Sequence, residues 1–341
     1  MLETIWFMLW GVLWAVYFML DGFDLGLGTL MPFLSKSEHD RRTIVNAMGP
    51  FWDGNEVWLV SAGGVTFAAF PGTYAVMFSS LYTPLMLLLF ALILRGIAFE
   101  FRGKEDKAWW RALWDGCLVV GSFLPALLLG VAFSNIFMGL PLDSQGLLQG
   151  NLFTLLNWYG LLGGLLFVLL FAEHGALWLA IKSEGGLQAR ARRAAAAIWP
   201  ALVGVAVVYL AASAFATPLW NNYLQTPLLL VLPVLAVTGL VLMRVYLARA
   251  SPWKAWAASA VAIGGAALWG VAGLYPNLLP SRLDQAYSLT AFNSASSPLT
   301  LKIMLGVALV VVPTVIAYQA WVYVAFRERI RFDEPGTGEA Y

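Results

Sequence analysis

Two short acidic stretches interrupt long apolar runs. Asp21 and Asp24 fall in M-L-D-G-F-D-L-G-L-G at 19–28, and Asp53 and Glu56 fall in G-P-F-W-D-G-N-E-V-W-L-V-S-A-G-G at 49–64. Each pair is three residues apart, so on a helix its members share one face. Arg95, close to the end of a third apolar run, is the one base expected at a comparable position. Carboxylates gathered around a guanidinium in an apolar medium support two kinds of chemistry. They can lock helices together as an ion-pair knot, with Arg95 neutralising one acid and Asp53 capping its helix. They can also take up and release protons, because four acids against one base leave surplus negative charge that calls for protonation or water. Both readings stand at this point.

Further candidates are sparser. His174 beside Glu173 is either a relay or a satisfied interface residue, and the interface reading is the simpler one. Asp115 reads as an acid at a helix start. Bis-histidine haem ligation needs two inward histidines on facing helices, and only His174 of the chain's two falls in an apolar run. The single cysteine, Cys117, excludes internal disulfides, CxxC metal sites and c-type haem attachment. No phosphate-binding Gly-rich loop follows a strand, and no nucleophile elbow is present.

The elements that position these residues follow from composition. The chain is 60% hydrophobic and 11% charged, with a mean hydropathy of +0.76. Apolar runs of about 20 residues recur throughout, the length that spans a bilayer as a helix. They lack barrel-type alternation, so the expectation is an all-α polytopic membrane protein. Net charge of +1 gives no reason to expect a nucleic-acid partner. The first run is too long for a signal peptide and reads as a retained helix.

Nine spanning helices are expected: Ile5–Leu30, Asp53–Phe70, Tyr74–Phe99, Ala112–Met138, Asn157–Ile181, Ala194–Ala216, Thr226–Leu247, Trp253–Leu274 and Leu299–Phe326. A short amphipathic helix is expected over 35–47, and 275–298 is the longest outer loop. The arrangement predicted is two four-helix bundles, about 1–140 and 150–275, plus a peripheral last helix at 299–326 and a tail at 327–341. Gly11 to Asp21 and Gly163 to Glu173 repeat one spacing, a faint trace of internal duplication. Of 20 basic residues, 17 fall in connections on one side, from Lys36 and Arg41 through to Arg331. The positive-inside rule then puts the amino terminus outside and the carboxyl terminus in the cytoplasm. At about 1.5 Å per residue from Ile5, Asp21 lies roughly 24 Å in, within the inner leaflet.

Residues alone lead to a helical membrane protein with an inner-leaflet carboxylate cluster, fitting a proton-handling subunit or a proton-coupled secondary transporter. Several stretches add a resemblance. D-G-F-D-L-G-L-G (21–28), the 49–64 stretch with its W-D-G-N-x-V-W core, F-A-A-F-P (67–71), L-R-G-I-A-F-E-F-R (94–102), W-D-G…G-S-F-L-P-A-L-L-L-G-V-A-F-S-N (114–135) and L-T-L-K-I-M (299–304) resemble subunit II of cytochrome bd quinol oxidases. The match is ordered and runs almost end to end.

That resemblance implies a complex of the bacterial cytoplasmic membrane that is electrogenic, oxidises membrane quinol and reduces dioxygen to water. Subunit I would be the obligate partner, carrying two b-type haems and one d-type haem. This chain would ligate no haem or metal, support assembly and haem insertion, and contribute to proton or oxygen access. A small accessory single-helix subunit and a structural quinone are features the resemblance also brings. It places Asp53 on a cytoplasmic proton path with Asp21 and Asp24 close by, and Trp58 near an oxygen entrance. Glu56 stands where Gln is often found and adds an acid. Arg95 and Glu100, both within L-R-G-I-A-F-E-F-R, are expected as ion-pair or supporting residues, while Glu173 and His174 keep the two readings given above, relay or interface. A purely structural assembly scaffold is the competing role for the acids.

Overall fold

A chain with so few charges satisfies its backbone internally, and the computed structural model is almost wholly helical over the described residues, 1–331. Its elements are α1 (Leu2–Leu34), α2 (Glu38–Met48), α3 (Trp52–Ala69), α4 (Pro71–Ser80), α5 (Tyr82–Phe101), α6 (Ala108–Met138) and α7 (Leu152–Leu155). There follow α8 (Trp158–Lys182), α9 (Gly185–Ala216), α10 (Trp220–Gln225), α11 (Val231–Ala248), α12 (Pro252–Leu274) and α13 (Pro298–Ala325). Between the last two, β1 (Asn277–Leu279) and β2 (Leu289–Thr290) form a small antiparallel ribbon with Asn277 opposite Thr290. Of the expected tail, residues 332–341 lie outside the described residues.

Helix α1 occupies the centre. It packs against α3 and α6 on one side and against α8 and α12 on the other. Helices α5 and α6 pair beyond it, and α9 and α11 pack outside α8 and α12. A continuous core therefore runs through α1, α6, α8 and α12. Close approach of α1 to α8 rests on glycine. A Cβ at Gly26 would lie 1.7 Å from the Phe171 carbonyl oxygen, so only a residue without one fits there. Beyond this core, α13 buries only Leu301 and is fastened by polar hooks. Trp6 Nε1 donates to the Leu301 carbonyl at 3.0 Å. At the other end the Lys182 ammonium donates to the carbonyls of Phe326 and Glu328, beneath the rings of Phe51 and Trp178.

The helix boundaries depart from the expected ones in instructive ways. Among the described residues, eight helices are long and apolar enough to cross a bilayer, against the nine expected. The second expected span, realised as the 18-residue α3, falls short because Asp53, Asn55 and Glu56 crowd its first turns. The third expected span starts at Tyr82 rather than Tyr74. Pro84 has no N–H to give the Ser80 carbonyl, and the helical run divides at Leu81 into α4 and α5. The sixth begins at Gly185, not Ala194. The Q-A-R-A-R-R-A-A-A-A stretch is strongly helix-forming, so Arg190, Arg192 and Arg193 sit in α9 and the connection shrinks to Ser183–Glu184.

The basic connections gather at one end of the stack. Arg102 bonds both Glu38 and Asp115, Arg190 meets Asp40 at 2.6 Å, and Arg331 meets Glu184 at 2.8 Å. Asp115 is thus an ion-pair partner in the second turn of α6 rather than a helix cap. At the opposite end the 275–297 loop folds over the α3–α4 turn, with Ser296 N donating to the Ala69 carbonyl and Thr73 bonded to Ser294.

Gly26→Ala forces α1 away from α8 and should destabilise the protein by about 1–3 kcal/mol or more. Gly306→Ala, at a position on α13 with nothing within 4 Å of the added carbon, should be neutral or slightly stabilising. Thermal unfolding of both variants in detergent checks the contrast.

Candidate functional site

Three helices build the polar cluster. On α1, Asp21 and Asp24 are both fully buried, as their shared face and the central position of α1 dictate. Helix α3 runs antiparallel to α1, with Asn55 beside Asp24 at one end and Thr66 beside Trp10 at the other. Its buried line is Asn55, Trp58, Ala62, Thr66 and Ala69. Helix α5 brings Arg95, which is drawn close because Gly121 of α6 lets the backbones meet; a Cβ there would lie 2.6 Å from the Ala91 carbonyl.

The Arg95 guanidinium is the hub. Its Nη2 donates to Asp21 Oδ1 at 2.5 Å and lies 2.8 Å from Glu56 Oε1. Arg95 and Asp21 are fully buried, whereas the Glu56 side chain is 21% exposed and so reaches the surface. Asp24 takes a different partner: Asn55 Nδ2 donates to its Oδ2 at 2.7 Å. The Asn55 carbonyl in turn accepts from Gln319 Nε2 at 2.9 Å and from the Tyr323 hydroxyl at 3.3 Å. Gln319 also accepts from Trp58 Nε1 at 2.6 Å, so α13 is tied to the cluster through amides.

Two expected members stand apart. Asp53 neither caps α3 nor joins Arg95. The N-cap position is Phe51, and Asp53 lies exposed on the outer stripe formed with Val57, Val60, Gly64 and Phe67. Among the described residues it makes no ion pair. Glu100 is exposed on α5 and likewise pairs with nothing among them; besides Arg95, the residue of that stretch that bridges elements is Arg102.

His174 and Glu173 form no part of the cluster. His174 is fully buried, stacked on Trp256 at 5.2 Å, with Nδ1 bonded to the Ser259 hydroxyl at 2.5 Å and Nε2 facing the Met19 carbonyl at 2.9 Å. Both ring nitrogens are engaged, so the residue does not fit a haem iron. Glu173 is fully buried with neither carboxylate oxygen hydrogen-bonded, and Arg244 is its electrostatic neighbour. Among the described residues no group of three or more His, Cys, Asp or Glu side chains is arranged to hold a metal. An apolar cavity of about 560 Å³ opens between α3, α4, α5 and α6, bordered by Trp10, Trp14, Leu59, Tyr74 and Leu88.

Sequence reasoning missed Gln319 and Tyr323. The signal was a lone amide in the apolar run V-I-A-Y-Q-A-W-V-Y of the last helix. Chemically, the cluster can hold charge in a dry setting and exchange protons through the partly exposed Glu56. Removing the cation should be severe. Arg95→Ala leaves Asp21 buried and uncompensated, at a cost of roughly 3–5 kcal/mol. The combined Asp21→Asn, Arg95→Gln variant should recover part of that loss, as a double-mutant cycle on thermal stability will read.

Comparison with known proteins places this geometry in a family. The family model described as cytochrome bd terminal oxidase subunit II matches residues 2–326. Cytochrome bd ubiquinol oxidase subunit 2 of Bacillus subtilis is 37% identical over 338 residues, covering 98% of this chain and 99% of that protein. Cytochrome bd-I ubiquinol oxidase subunit 2 of Escherichia coli K12 is 36% identical over 355 residues, covering 94% and 93%. Among solved structures, a chain of the bd oxidase from Geobacillus thermodenitrificans shares the fold with a TM-score of 0.75 at 16% identity, over 95% of this chain and 98% of that one. With the family model and near-full-length relatives in agreement, this chain belongs to the cytochrome bd terminal oxidase subunit II family.

Proposed function

We propose that this chain is the haem-free subunit of a quinol:oxygen oxidoreductase and that its carboxylate cluster conducts protons from the cytoplasm toward the oxygen-reduction site of subunit I. The haems of the partner supply the redox chemistry; this chain supplies the protons and the scaffold on which that subunit assembles. The observation that carries the reading is the exposed Asp53 on an otherwise apolar helix stripe, one turn from the partly exposed Glu56. A carboxylate facing lipid at depth costs about 2.5–3.5 kcal/mol, so this stripe belongs against protein rather than hydrocarbon. Subunit I is the fitting cover. Asp53 then receives protons at the mouth of α3, Glu56 takes them one turn deeper, and Arg95 holds Glu56 and Asp21 together as charges change.

The same reading has α3 crossing the membrane despite its polar first turns, because partner and neighbour shield them. With the eight apolar helices this makes nine crossings, an outer amino terminus and a cytoplasmic carboxyl terminus. Oxygen access belongs to the apolar cavity between α3 and α6, a medium that favours a small apolar gas. Leu59 and Val60 of α3 line that cavity, while the neighbouring Trp58 turns to α13 and bonds Gln319. A structural quinone tail has the same apolar lining to occupy.

Asp53→Asn should cut oxygen consumption per haem by about tenfold or more while leaving haem content intact. Because Asp53 pairs with no cation among the described residues, the substitution strands no charge. Normal turnover at full haem content would remove Asp53 from the path, and lost haem at normal turnover per haem would make it a scaffold residue. For topology, single cysteines at the exposed Ser144 and Glu105 in a Cys117-free background should label from outside and inside respectively. Outside labelling of Glu105→Cys would reverse the orientation.

A further inference from the structure

A cluster of buried polar atoms extends the carboxylate site one turn deeper along α1. Tyr17 lies four residues before Asp21, on the same face, and is fully buried. Its hydroxyl stands beside the Asp21 carboxylate, close enough for a weak hydrogen bond to it but with no partner at full hydrogen-bond geometry. Asp21 Oδ2 is also without a partner, as are Arg95 Nε and Nη1. Four orphaned atoms on three mutually adjacent side chains make one feature. Each buried polar group left without a good partner costs about 1–3 kcal/mol, and such groups are few in folded proteins, so four together call for a ligand.

The donor and acceptor balance identifies the ligand. Arg95 Nε and Nη1 only donate, Asp21 Oδ2 only accepts, and the Tyr17 hydroxyl does both. A molecule that satisfies them all must accept from a cation, donate to an anion and bond a hydroxyl within a fully buried space. Water does this, with the two to four polar partners that buried waters take. We propose that Tyr17, Asp21 and the unpartnered edge of Arg95 form a binding site for ordered water, and that this water keeps Asp21 in proton exchange with Glu56.

The exchange needs such a route. Asp21 and Glu56 both face the same guanidinium nitrogen, at 2.5 and 2.8 Å. Arginine stays protonated in proteins, so that nitrogen separates the two acids and carries nothing between them. Water at the other edge of Arg95 bridges around it. A proton leaving the Glu56 carboxyl enters the water chain, and a water O–H bond breaks as the Asp21 O–H bond forms. One positive charge has moved, every water is restored, and Arg95 is unchanged. Tyr17 orients the water by bonding it as donor and acceptor and is a positioning residue. Asp24 and Asn55 flank the site from below, where Asp24 Oδ1 is likewise unpartnered.

The role in exchange rests on the proton-path reading, but the water site is read independently of it. Electron cryomicroscopy of the purified complex of this chain with subunit I, at a resolution that shows water, should reveal density within hydrogen-bond distance of Asp21 Oδ2, Arg95 Nε and the Tyr17 hydroxyl. Tyr17→Phe keeps the ring and removes only the hydroxyl. It should weaken that density, leave the Arg95–Asp21 pair in place and lower oxygen consumption per haem by about tenfold, with a larger solvent isotope effect. A wild-type map in which the Tyr17 hydroxyl bonds Asp21 directly, with no density at Arg95 Nε, would overturn the site. Full turnover and an unchanged isotope effect in an assembled Tyr17→Phe complex would overturn the role. Should that variant fail to assemble, the wild-type map alone decides. Normal turnover in Asp53→Asn with water present would end the Asp53 path and leave this site standing.

Discussion

A guanidinium enclosed by apolar helices has to be met by carboxylates on its neighbours, and this constraint organises the first half of the molecule. Arg95 on α5 is fully buried and draws Asp21 from α1 and Glu56 from α3. The three helices are thereby fixed in rotation about their own axes, since turning any one by a residue would strand a charge in hydrocarbon. Glycines act in the same direction. Gly121 lets α6 touch α5 beside Arg95, and Gly26 lets α1 touch α8, so the ion pair sits in a wall with no slack.

Around this hub, polar attachment replaces apolar burial where apolar burial would give no specificity. In lipid, an apolar helix gains little by leaving its surroundings for another apolar surface. Helix α13 illustrates this: it buries only Leu301, yet Trp6 pins its first turn, and Gln319, Tyr323 and Lys182 fasten its last two turns and the residues just after them. Because Gln319 and Tyr323 converge on Asn55, and Asn55 on Asp24, the placement of the last helix and the state of the carboxylates are coupled through one amide.

The division of labour among the acids follows from depth and exposure. Asp21 and Asp24 are sealed, Glu56 is partly open, and Asp53 faces outward on an apolar stripe. This graded series runs from the exposed Asp53 through Glu56 on α3 to the buried Asp21 and Asp24 on α1. On the proton path proposed above, this series would lead protons inward from the exposed Asp53. His174, by contrast, spends both its nitrogens on Ser259 and the Met19 carbonyl and serves helix packing.

Charge in an apolar run is visible in any sequence, which is why Asp21, Asp24, Asp53, Glu56 and Arg95 could be picked out as a group before any coordinates, though Asp53 proved to stand apart from the rest. Helical periodicity likewise determined that Asp21 and Asp24 share a face, and run lengths determined an all-α membrane fold with its basic connections at one end. The facing of Asp53 was beyond reach, because a helix with polar groups on several sides does not reveal which side its neighbours cover. Gln319 was beyond reach for a different reason: its partner Asn55 is 264 residues away, and only packing brings α13 to α3. The division of the third run at Leu81 and the early start of α9 were local events, set by a missing proline N–H and by alanine-rich propensity, and both were legible in principle. Composition and periodicity decide what each helix is; which atoms it meets depends on rotation and neighbour choice, and those are settled by the buried pairs that only the folded chain can form.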